Sequence, residues 1–479
     1  MEVVMGRVWV IIIPVVLLAQ FGPDVRVSDT TGGLLGCVEP SITVGSDSIL
    51  YVVWASDYTG IGDLHLYFSR STDLGQTWSP GLRIDDQGRS CLQPVLSYQP
   101  PATLYCIWYW QSGGVRDRIM FSRSTDGGAN WSPSIRVDDC PIDTFLEHPE
   151  MCMSKDEILA VWGDCRYGWR IRFSKSTDQG TTWKKSQEIS FGRWACYPRI
   201  AASGDTIYVV YYSLDDNIYL SRSTDLGETW EDMGKINDLT TGERRYQAIG
   251  VSPEGTIGCA WYDWSSGECE IRFTRSTDGG NSWSPSIRIS DQFSQDPVKG
   301  ETKLNILFRS WNLIYAIWSD ERSGANGSWD IYCTYSTDGG STWIPEIRVN
   351  DSLDNSQTWP SVALDSRGNP AVVWFEYPEH IYFDYGDFPG VAESQQNHPE
   401  GSLTLSPNPF SHRIVITYHT NNPNPPQAKI YDIEGRMIAT ILGKKSGSGY
   451  QFIWDGKNHP GGIYFIGIGS RLEKITHCR

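Results

Sequence analysis

Short runs of alternating apolar and polar residues cover most of the chain, and they recur with the same parts in the same order. In one unit the runs are HPEMCMS, ILAVWGD and IRFSKS, and a turn-rich octapeptide follows the last of them. Val, Ile, Tyr and Trp dominate the runs, whereas Gly, Asp, Ser and Pro separate them, which is typical of short strands and tight turns. Each unit therefore predicts one small antiparallel sheet of four strands.

The octapeptide is the most regular feature of the sequence. Its six copies are STDLGQTW, STDGGANW, STDQGTTW, STDLGETW, STDGGNSW and STDGGSTW, and they begin at Ser71, Ser124, Ser176, Ser223, Ser276 and Ser336. The starts are 53, 52, 47, 53 and 60 residues apart, so one unit of about fifty residues is repeated. A sheet with two apolar faces cannot bury both alone, and the units must therefore stack on one another.

The octapeptide has the chemistry of a turn. The Ser hydroxyl and the Asp carboxylate can accept backbone N–H groups, and the Gly at the fifth position allows a positive φ. The Trp then begins the outer strand, where we expect it to pack across the turn onto the sheet. Catalysis or Ca²⁺ binding is the alternative, but catalysis needs one asymmetric constellation and a calcium loop needs several oxygen ligands. Six equivalent copies therefore favour a structural role.

The two ends of the repeat region predict how it closes. A seventh unit begins at Trp359 and stops after three strands, whereas VRVSD at 25–29 matches the outer strands of other units without any strands before it. We predict that VRVSD completes the last sheet, because closing the ring removes exposed edges. We predict an all-β protein with a β-propeller of seven blades. A propeller of six blades is the alternative if the last unit is only a cap.

Four segments follow from these patterns. Arg7 precedes twelve apolar residues, which are too few to span a bilayer comfortably and predict a secretory signal peptide over 1–19. A buried strand pair is the alternative. The propeller is expected over 24–386 and a polar linker over 387–401. Period-2 strands with Pro/Gly turns predict a small β-sandwich over 402–479.

The net charge and the cysteine content argue against certain classes of partner. A net charge of -17 and a pI near 4.9 argue against nucleic acid, because its binders carry a basic face. The 11 cysteines include no CxxC pair and no metal-ligand spacing, and most are expected to be small buried residues in strands. We expect no cofactor, no metal and a monomeric chain.

The octapeptides resemble the Asp-box, or BNR repeat, of sialidase-like β-propellers, in the form Ser-x-Asp-x-Gly-x-x-Trp. The resemblance covers about three quarters of the chain. In that family the box is a structural turn between the third and fourth strands of a blade. It implies a structural role for Asp73, Asp126, Asp178, Asp225, Asp278, Asp338, Trp78, Trp131, Trp183, Trp230, Trp283 and Trp343.

The C-terminal part resembles the sorting domain of the bacterial type IX secretion pathway, which has an Ig-like fold. The residues that carry this resemblance are LSPNPF at 405–410, IYDIEGRMI at 430–438 and WDGKNHPGGIYF at 454–465. It implies recognition by the secretion machinery, passage through the outer membrane, and a secreted or surface-attached product. The final ITHCR departs from the basic, apolar tail usual there. A plain sandwich that only packs or binds is the alternative.

The chemistry is expected on the face opposite the boxes, in the loops after the second strands and the segments leading into each blade. Aromatic rings with Asp, Glu and Arg suit a sugar, because rings stack on its apolar face and charged groups bind its hydroxyls. The candidate ligand-binding residues are Arg166, Arg199, Arg244, Arg322, Trp169, Trp264 and Trp359.

Two functions remain open. The resemblance implies an exo-glycosidase of sialidase type, in which an arginine cluster holds the substrate carboxylate, a Tyr backed by a Glu is the nucleophile and an Asp is the acid/base. The candidates by type are Tyr197 or Tyr246, Glu150 or Glu243, and Asp57 or Asp164. The family's Phe/Tyr-Arg-Ile-Pro stretch is missing, and the closest string, YPRI at Tyr197, has a different order. We therefore favour a non-catalytic propeller that recognises glycans or cell-surface polymers.

Overall fold

The computed structural model describes most of the chain in two units, Met1–Ala392 and Glu393–Arg479. The described residues are 20–28, 35–58, 62–111, 117–141, 144–291, 302–321, 328–352, 354–378, 380–388, 402–406, 413–419, 427–432, 436–446, 449–455, 459–460, 462–468 and 471–477. The predicted signal peptide and most of the predicted linker lie outside these residues.

Seven antiparallel sheets make up the described part of the first unit, and their strands are neighbours in chain order. Sheets 1 to 3 comprise Leu35–Val44, Leu50–Asp57, His65–Ser71 and Leu82–Arg83; Cys91–Gln99, Thr103–Trp110, Arg118–Ser124 and Ile135–Arg136; and Leu146–Ser154, Glu157–Asp164, Arg170–Ser176 and Gln187–Glu188. Sheets 4 to 6 comprise Ala195–Ser203, Thr206–Ser213, Asn217–Ser223 and Glu231–Lys235; Arg244–Val251, Ile257–Asp263, Glu270–Ser276 and Ile287–Arg288; and Asn305–Phe308, Ile314–Asp320, Asp330–Ser336 and Ile347–Arg348. Sheet 7 comprises Gln357–Leu364, Pro370–Glu376 and His380–Asp387. A single turn of 3₁₀ helix, Ser46–Ser48, joins the first two strands of sheet 1.

The sheets form a closed ring, because each first strand contacts the first strand of the next sheet and Gln357–Leu364 contacts Leu35–Val44. The N-terminal segment completes sheet 7: Val25–Arg26 pairs with the third strand, with Val25 opposite Phe383, and Gln20–Phe21 pairs further along the same strand. The pairing of VRVSD with the last sheet is what the sequence predicts.

The core of the ring rests on one position in each second strand. A large aromatic side chain is fully buried there in every sheet, because the second strand has a neighbouring sheet on both faces. These residues are Trp54, Trp108, Trp162, Tyr211, Trp261, Trp318 and Trp374. Their repetition explains the high tryptophan content of the sequence.

Each Asp-box closes a turn between the third and fourth strands by its own side chains. In the third copy, the N–H of Gly180 donates to Ser176 Oγ at 2.8 Å, and the N–H of Thr182 donates to Asp178 Oδ1 at 2.8 Å. The Thr182 hydroxyl donates to Asp178 Oδ2 at 2.6 Å, and hydrogen bonds from Thr182 are the main reason that the pKa of Asp178 is lowered to about 2. The box aspartate is therefore occupied by the turn.

The box tryptophans pack on the preceding sheet. The sequence predicts packing across the turn onto the sheet of the same unit, and the structure differs in this respect. Trp183 meets Phe121 of sheet 2 edge to face at 5.4 Å, and a Cβ on Gly180 would overlap the same ring. Because the box glycine has no Cβ, it leaves room for this ring, and the box of one unit can therefore pack on the preceding sheet. The equivalent ring pairs are Trp78–Phe383, Trp131–Phe68, Trp230–Phe173 and Trp343–Phe273.

Sheet 7 has no box, so the junction between sheets 6 and 7 is built differently. Phe388 packs edge to face on Tyr315 and Tyr335 of sheet 6, at 5.7 and 5.4 Å. Phe21 meets Phe388 at 5.5 Å. Residues from the two ends of the first unit thus replace the missing tryptophan.

The second unit contains two four-stranded sheets in its described ranges. One comprises Ser402–Ser406, Arg413–His419, Gly449–Asp455 and Lys444–Ser446, and the other Met437–Leu442, Gln427–Tyr431, Gly462–Ile468 and Arg471–His477. Phe452 and Trp454 of the first sheet share a buried core with Ile430 and Ile466 of the second. The unit is therefore a β-sandwich.

Several cysteines fit the prediction of small buried residues. Cys37, Cys91, Cys106, Cys259 and Cys333 lie buried in strands as free thiols, and burial raises the pKa of each. Within the described ranges, no three His, Cys, Asp or Glu side chains are grouped so as to hold a metal ion. In the same ranges, no helix is long and apolar enough to cross a membrane.

Candidate functional site

The first strands carry a repeated backbone irregularity close to the ring axis. In six of the seven sheets the pairing of the first and second strands shifts at a β-bulge, and one non-glycine residue in each bulge has φ between 51° and 57°. These residues are Glu39, Gln93, His148, Tyr197, Tyr246 and Trp359. A positive φ is unfavourable for such side chains, and its recurrence in one ring marks a candidate functional site.

Two cavities lie along this axis. The smaller, of about 40 Å³, is lined by Glu39, Gln93, His148 and Trp359 among others, and we call it the mouth cavity. The larger, of about 180 Å³, is the axial cavity, and the residues two positions beyond the bulges contribute to its wall. Four side chains line both cavities, namely Val95, Glu150, Arg199 and Lys303.

The charged groups of the axial cavity form one cluster. The Arg199 guanidinium pairs with the Glu150 carboxylate, and the Lys303 ammonium lies 4.0 Å from the same carboxylate oxygen. Burial, reinforced by the Arg199 charge, lowers the pKa of Lys303 to about 7. Burial also lowers the pKa of Arg199 to about 10 and that of His148 to about 3. At neutral pH His148 is therefore uncharged.

A line of rings, the aromatic arc, runs from the mouth cavity outward. His148 lies 4.4 Å from Tyr197, which lies 5.8 Å from Tyr246. Tyr262 and Trp264 continue the line at 5.9 and 6.4 Å. The arc crosses sheets 3, 4 and 5, but Tyr246 and Tyr262 within it are buried, so these two rings support the others and do not meet a ligand.

An exposed aromatic platform lies over sheets 3 and 4, at the end of the sheets opposite the boxes. It consists of Phe145, Tyr167, Phe191 and Trp194, of which Tyr167 is 73% and Trp194 51% exposed. Backbone hydrogen bonds from Cys165 to Phe145 and from Leu214 to Trp194 hold two of these residues, and Ala195 bonds to Trp169 between them. The backbones of Phe145 and Trp194 are thus held by neighbouring loops.

The predicted arginines are not brought to one point among the described residues. Arg166 binds Asp164 and Asp139, whereas Arg244 is buried against Asp263 and the carbonyl oxygens of 241, 242 and 216. Arg199 alone of the three lines the axial cavity. Arg322 lies outside the described residues.

The predicted catalytic candidates lie in different surroundings. Asp164 is fully buried beside Arg166, and Asp57 accepts the N–H of Gly62 at 2.6 Å. Glu243 pairs with Arg245, whereas Glu150 faces the axial cavity. Tyr197 is half-buried in the aromatic arc, and Tyr246 beside it is buried.

The predicted tryptophans lie at three places. Trp359 lines the mouth cavity, Trp264 ends the aromatic arc, and half-buried Trp169 supports the segment leading into sheet 4. Lys303 and His148 are not among the site residues predicted from the sequence. The available signal for His148 was the X-Pro that recurs in five of the units, since aligning those prolines aligns the residues that face the axis. Lys303 precedes Leu304 and lacks this signal.

Comparisons with known proteins agree with this architecture. Residues 47–242 match the BNR repeat-like domain, and residues 404–478 match the secretion system C-terminal sorting domain. A comparison with curated proteins found no match.

Among solved structures, a polysaccharide lyase described as an ulvan lyase is similar at 13% identity, with a TM-score of 0.54, over 76% of this chain and 94% of that one. Its complex with -[GlcA(1-4)Rha3S]- gives a TM-score of 0.53 at the same identity and coverage. A leech intramolecular trans-sialidase gives 0.44 at 15% identity, over 75% of this chain and 69% of that one. At such identities the likeness concerns the fold.

The first unit folds as a β-propeller that contains the BNR repeat-like match, and the sorting domain directs export through type IX secretion to the cell surface or the medium. The chain is thus an exported protein that joins a BNR repeat-like propeller to a secretion system C-terminal sorting domain.

Proposed function

We propose that the propeller recognises glycans or other cell-surface polymers on the face opposite the boxes. The aromatic platform is the observation that carries this proposal. Its exposed rings offer flat apolar surfaces beside polar loops, which is the combination that a pyranose needs for stacking and hydroxyl recognition.

The position of the platform adds support. Trp194 immediately precedes Ala195–Ser203, the strand that carries Tyr197 of the aromatic arc. The platform over sheets 3 and 4 therefore adjoins the part of the arc that belongs to these two sheets. A chain of several sugar units could contact both, whereas a single sugar could contact only one.

Hydrolysis of sialosides is the alternative, and it has less support. A sialidase-type site needs several arginines around one carboxylate, yet Arg166 and Arg244 bind carboxylates of their own loops. Glu150 could back a tyrosine, but its carboxylate pairs with Arg199. Binding without hydrolysis remains the better-supported function.

Substitution of the platform tests the proposal. Trp194→Ala should weaken binding to a panel of immobilised polysaccharides at least about ten-fold, measured by affinity electrophoresis, because exposed aromatic anchors dominate such contacts. Trp311→Ala is the matched control, since Trp311 is also 50% exposed but lies on the hairpin between the first two strands of sheet 6, at the other end of the sheets.

Two results would count against it. Equal binding by both variants would remove the platform from recognition. Release of the fluorophore from a fluorogenic sialoside, lost in Tyr197→Phe or Tyr246→Phe, would instead establish the glycosidase.

A further inference from the structure

The Lys303 ammonium lacks a full set of partners in the described part of the chain. Its one ion-pair partner there is Glu150, at 4.0 Å, and that carboxylate is already paired with Arg199. The axial cavity of about 180 Å³ lies beside it, which is room for several waters at roughly 30 Å³ each. A cation held this deep in a protein with so little compensation is costly.

The charges that line the axial cavity do not balance. Arg199 and Lys303 supply two cations against the single carboxylate of Glu150. Glu39 lines only the mouth cavity, where its carboxylate accepts the N–H of Gln93 at 2.6 Å, and its charge acts on Lys303 from that side. His148, on the same side, is uncharged at neutral pH because burial and Arg199 lower its pKa to about 3. Within the axial cavity itself, an anion would give Lys303 a second close partner on the side away from Glu39.

The remaining wall leaves space for such a group. The residues two positions beyond the bulges are small in three sheets, namely Ser41, Ala248 and Ser361. Glu150 and Arg199 occupy the same position in sheets 3 and 4, whereas Asn305 occupies it in sheet 6. Lys303 lies two residues earlier, at the position of the bulge residues, and reaches the cavity from there. The small residues of sheets 5 and 7 thus flank Lys303 of sheet 6 and leave space beside it.

We propose that the axial cavity is an anion subsite, in which Lys303 and Arg199 receive a carboxylate or sulfate group of the bound glycan. A guanidinium suits a planar or tetrahedral oxyanion by paired hydrogen bonds, and an ammonium adds a compact charge. The inference deepens the proposed function, on which it rests for the nature of the polymer. It restricts the glycan to acidic sugars.

Anion binding should be linked to the protonation of Lys303. The groups facing this amine are Glu150, Arg199, Glu39 and His148, and with a pKa of about 7 it loses its proton between pH 6 and pH 8. Since the anion favours the ammonium, affinity should fall as the pH rises through this range.

Small anions test the subsite without the polymer. Isothermal titration calorimetry with sodium glucuronate and with glucose 6-sulfate, at pH 6 and pH 8.5, distinguishes a carboxylate from a sulfate, and glucose is the neutral control. Lys303→Met should weaken binding of the preferred anion at least ten-fold at pH 6. Lys155→Met, the same change at an exposed lysine paired with Asp205, should leave binding unchanged.

A conservative variant separates charge from shape. Lys303→Arg keeps the positive charge, so it should bind within about three-fold of the parent at pH 6 and lose the fall in affinity toward pH 8.5. Binding by Lys303→Arg as weak as that of Lys303→Met would contradict a role through charge.

The other outcomes are decisive as well. The absence of binding by both anions, or equal affinity in Lys303→Met and the parent, would overturn the subsite. Anion binding in a protein whose Trp194→Ala variant still retains polysaccharides would uphold the subsite and reject the platform, so the two proposals fail separately.

Discussion

The rim and the axis of the propeller use repetition in opposite ways. At the rim, six boxes repeat both backbone and side chains, and each aspartate makes the same turn contacts. At the axis, six bulges repeat the backbone, but their residues range from Glu39 and Gln93 to Tyr197 and Trp359. A repeated side chain therefore identifies the framework, whereas a repeated backbone with changing side chains identifies the site.

Removing an aromatic side chain that joins two sheets at the rim should cause the largest loss of stability. Phe383→Ala takes away the ring on which Trp78 packs at 5.3 Å, across the closure of the ring of sheets. We expect a loss of about 3–5 kcal/mol in the free energy of unfolding, measured with guanidinium, because a buried aromatic is replaced by a cavity.

Phe121→Ala is the matched change at a junction inside the chain, where Trp183 packs at 5.4 Å. The two variants should agree within about 1 kcal/mol, since the contact is the same. A much smaller loss for Phe383→Ala would mean that the closing junction contributes less than the others.

A methyl group at a box glycine should have the next largest effect. Gly180 has φ +82° and its Cβ would overlap the Phe121 ring, so Gly180→Ala combines backbone strain with overpacking. We expect about 2–4 kcal/mol of destabilisation in urea unfolding. Gly204→Ala at φ +59°, where no atom lies within 4 Å, should cost only about 1 kcal/mol. Equal costs would show that the interlocked ring contributes nothing.

Asp384, which accepts the N–H of Gly22 in the N-terminal segment, and the box aspartates should change the stability with pH in opposite directions. Burial raises the pKa of Asp384 to about 8, above its unfolded value of 3.8. Its contribution is therefore present at low pH and is lost as the pH rises through about 8. Asp384→Asn can still accept the N–H of Gly22 and should stabilise the protein, by roughly 1–3 kcal/mol more at pH 8.5 than at pH 5. Thermal unfolding at both pH values measures this, and a gain that does not change with pH would contradict it.

The smallest effect is expected for a single box carboxylate. The pKa of Asp178 is lowered to about 2, so its contribution is present above pH 4 and is lost as the pH falls through 2. Because the residue is exposed, Asp178→Asn should cost only about 0.5 kcal/mol at pH 7, and clearly less at pH 2, where the carboxylate is partly protonated. Unfolding midpoints at the two pH values test this. A loss of the same size at pH 2 would point to shape, not charge.

The sequence predicts features that local chemistry or regular spacing determines. The Asp-box turn follows from Ser, Asp and Gly within eight residues, and the pairing of Val25 with the last sheet follows from a strand that lacks neighbours in sequence. The partner of Trp183 could not be predicted, because a repeat period does not specify which adjacent sheet a side chain meets.

Glu150 and Arg199 are candidate site residues from the sequence, but their meeting with Lys303 could not be predicted, for a geometric reason. Glu150, Arg199 and Lys303 are about 50 to 150 residues apart, and they meet only because three first strands converge on one axis. Arg166 and Arg244 look equivalent to Arg199 by residue type. Their neutralisation by Asp164 and Asp263 depends on loop contacts that composition does not reveal.

The direction in which the boxes pack determines the order in which their contacts can form during folding. Five boxes rest on a sheet that precedes them in the chain, so each can dock as soon as its own unit has formed. Trp78 must wait for Phe383, on the order of 300 residues later, and this junction carries the entropy of a very long loop. Until that contact forms, the tryptophan of the first box remains exposed and is free to contact other molecules.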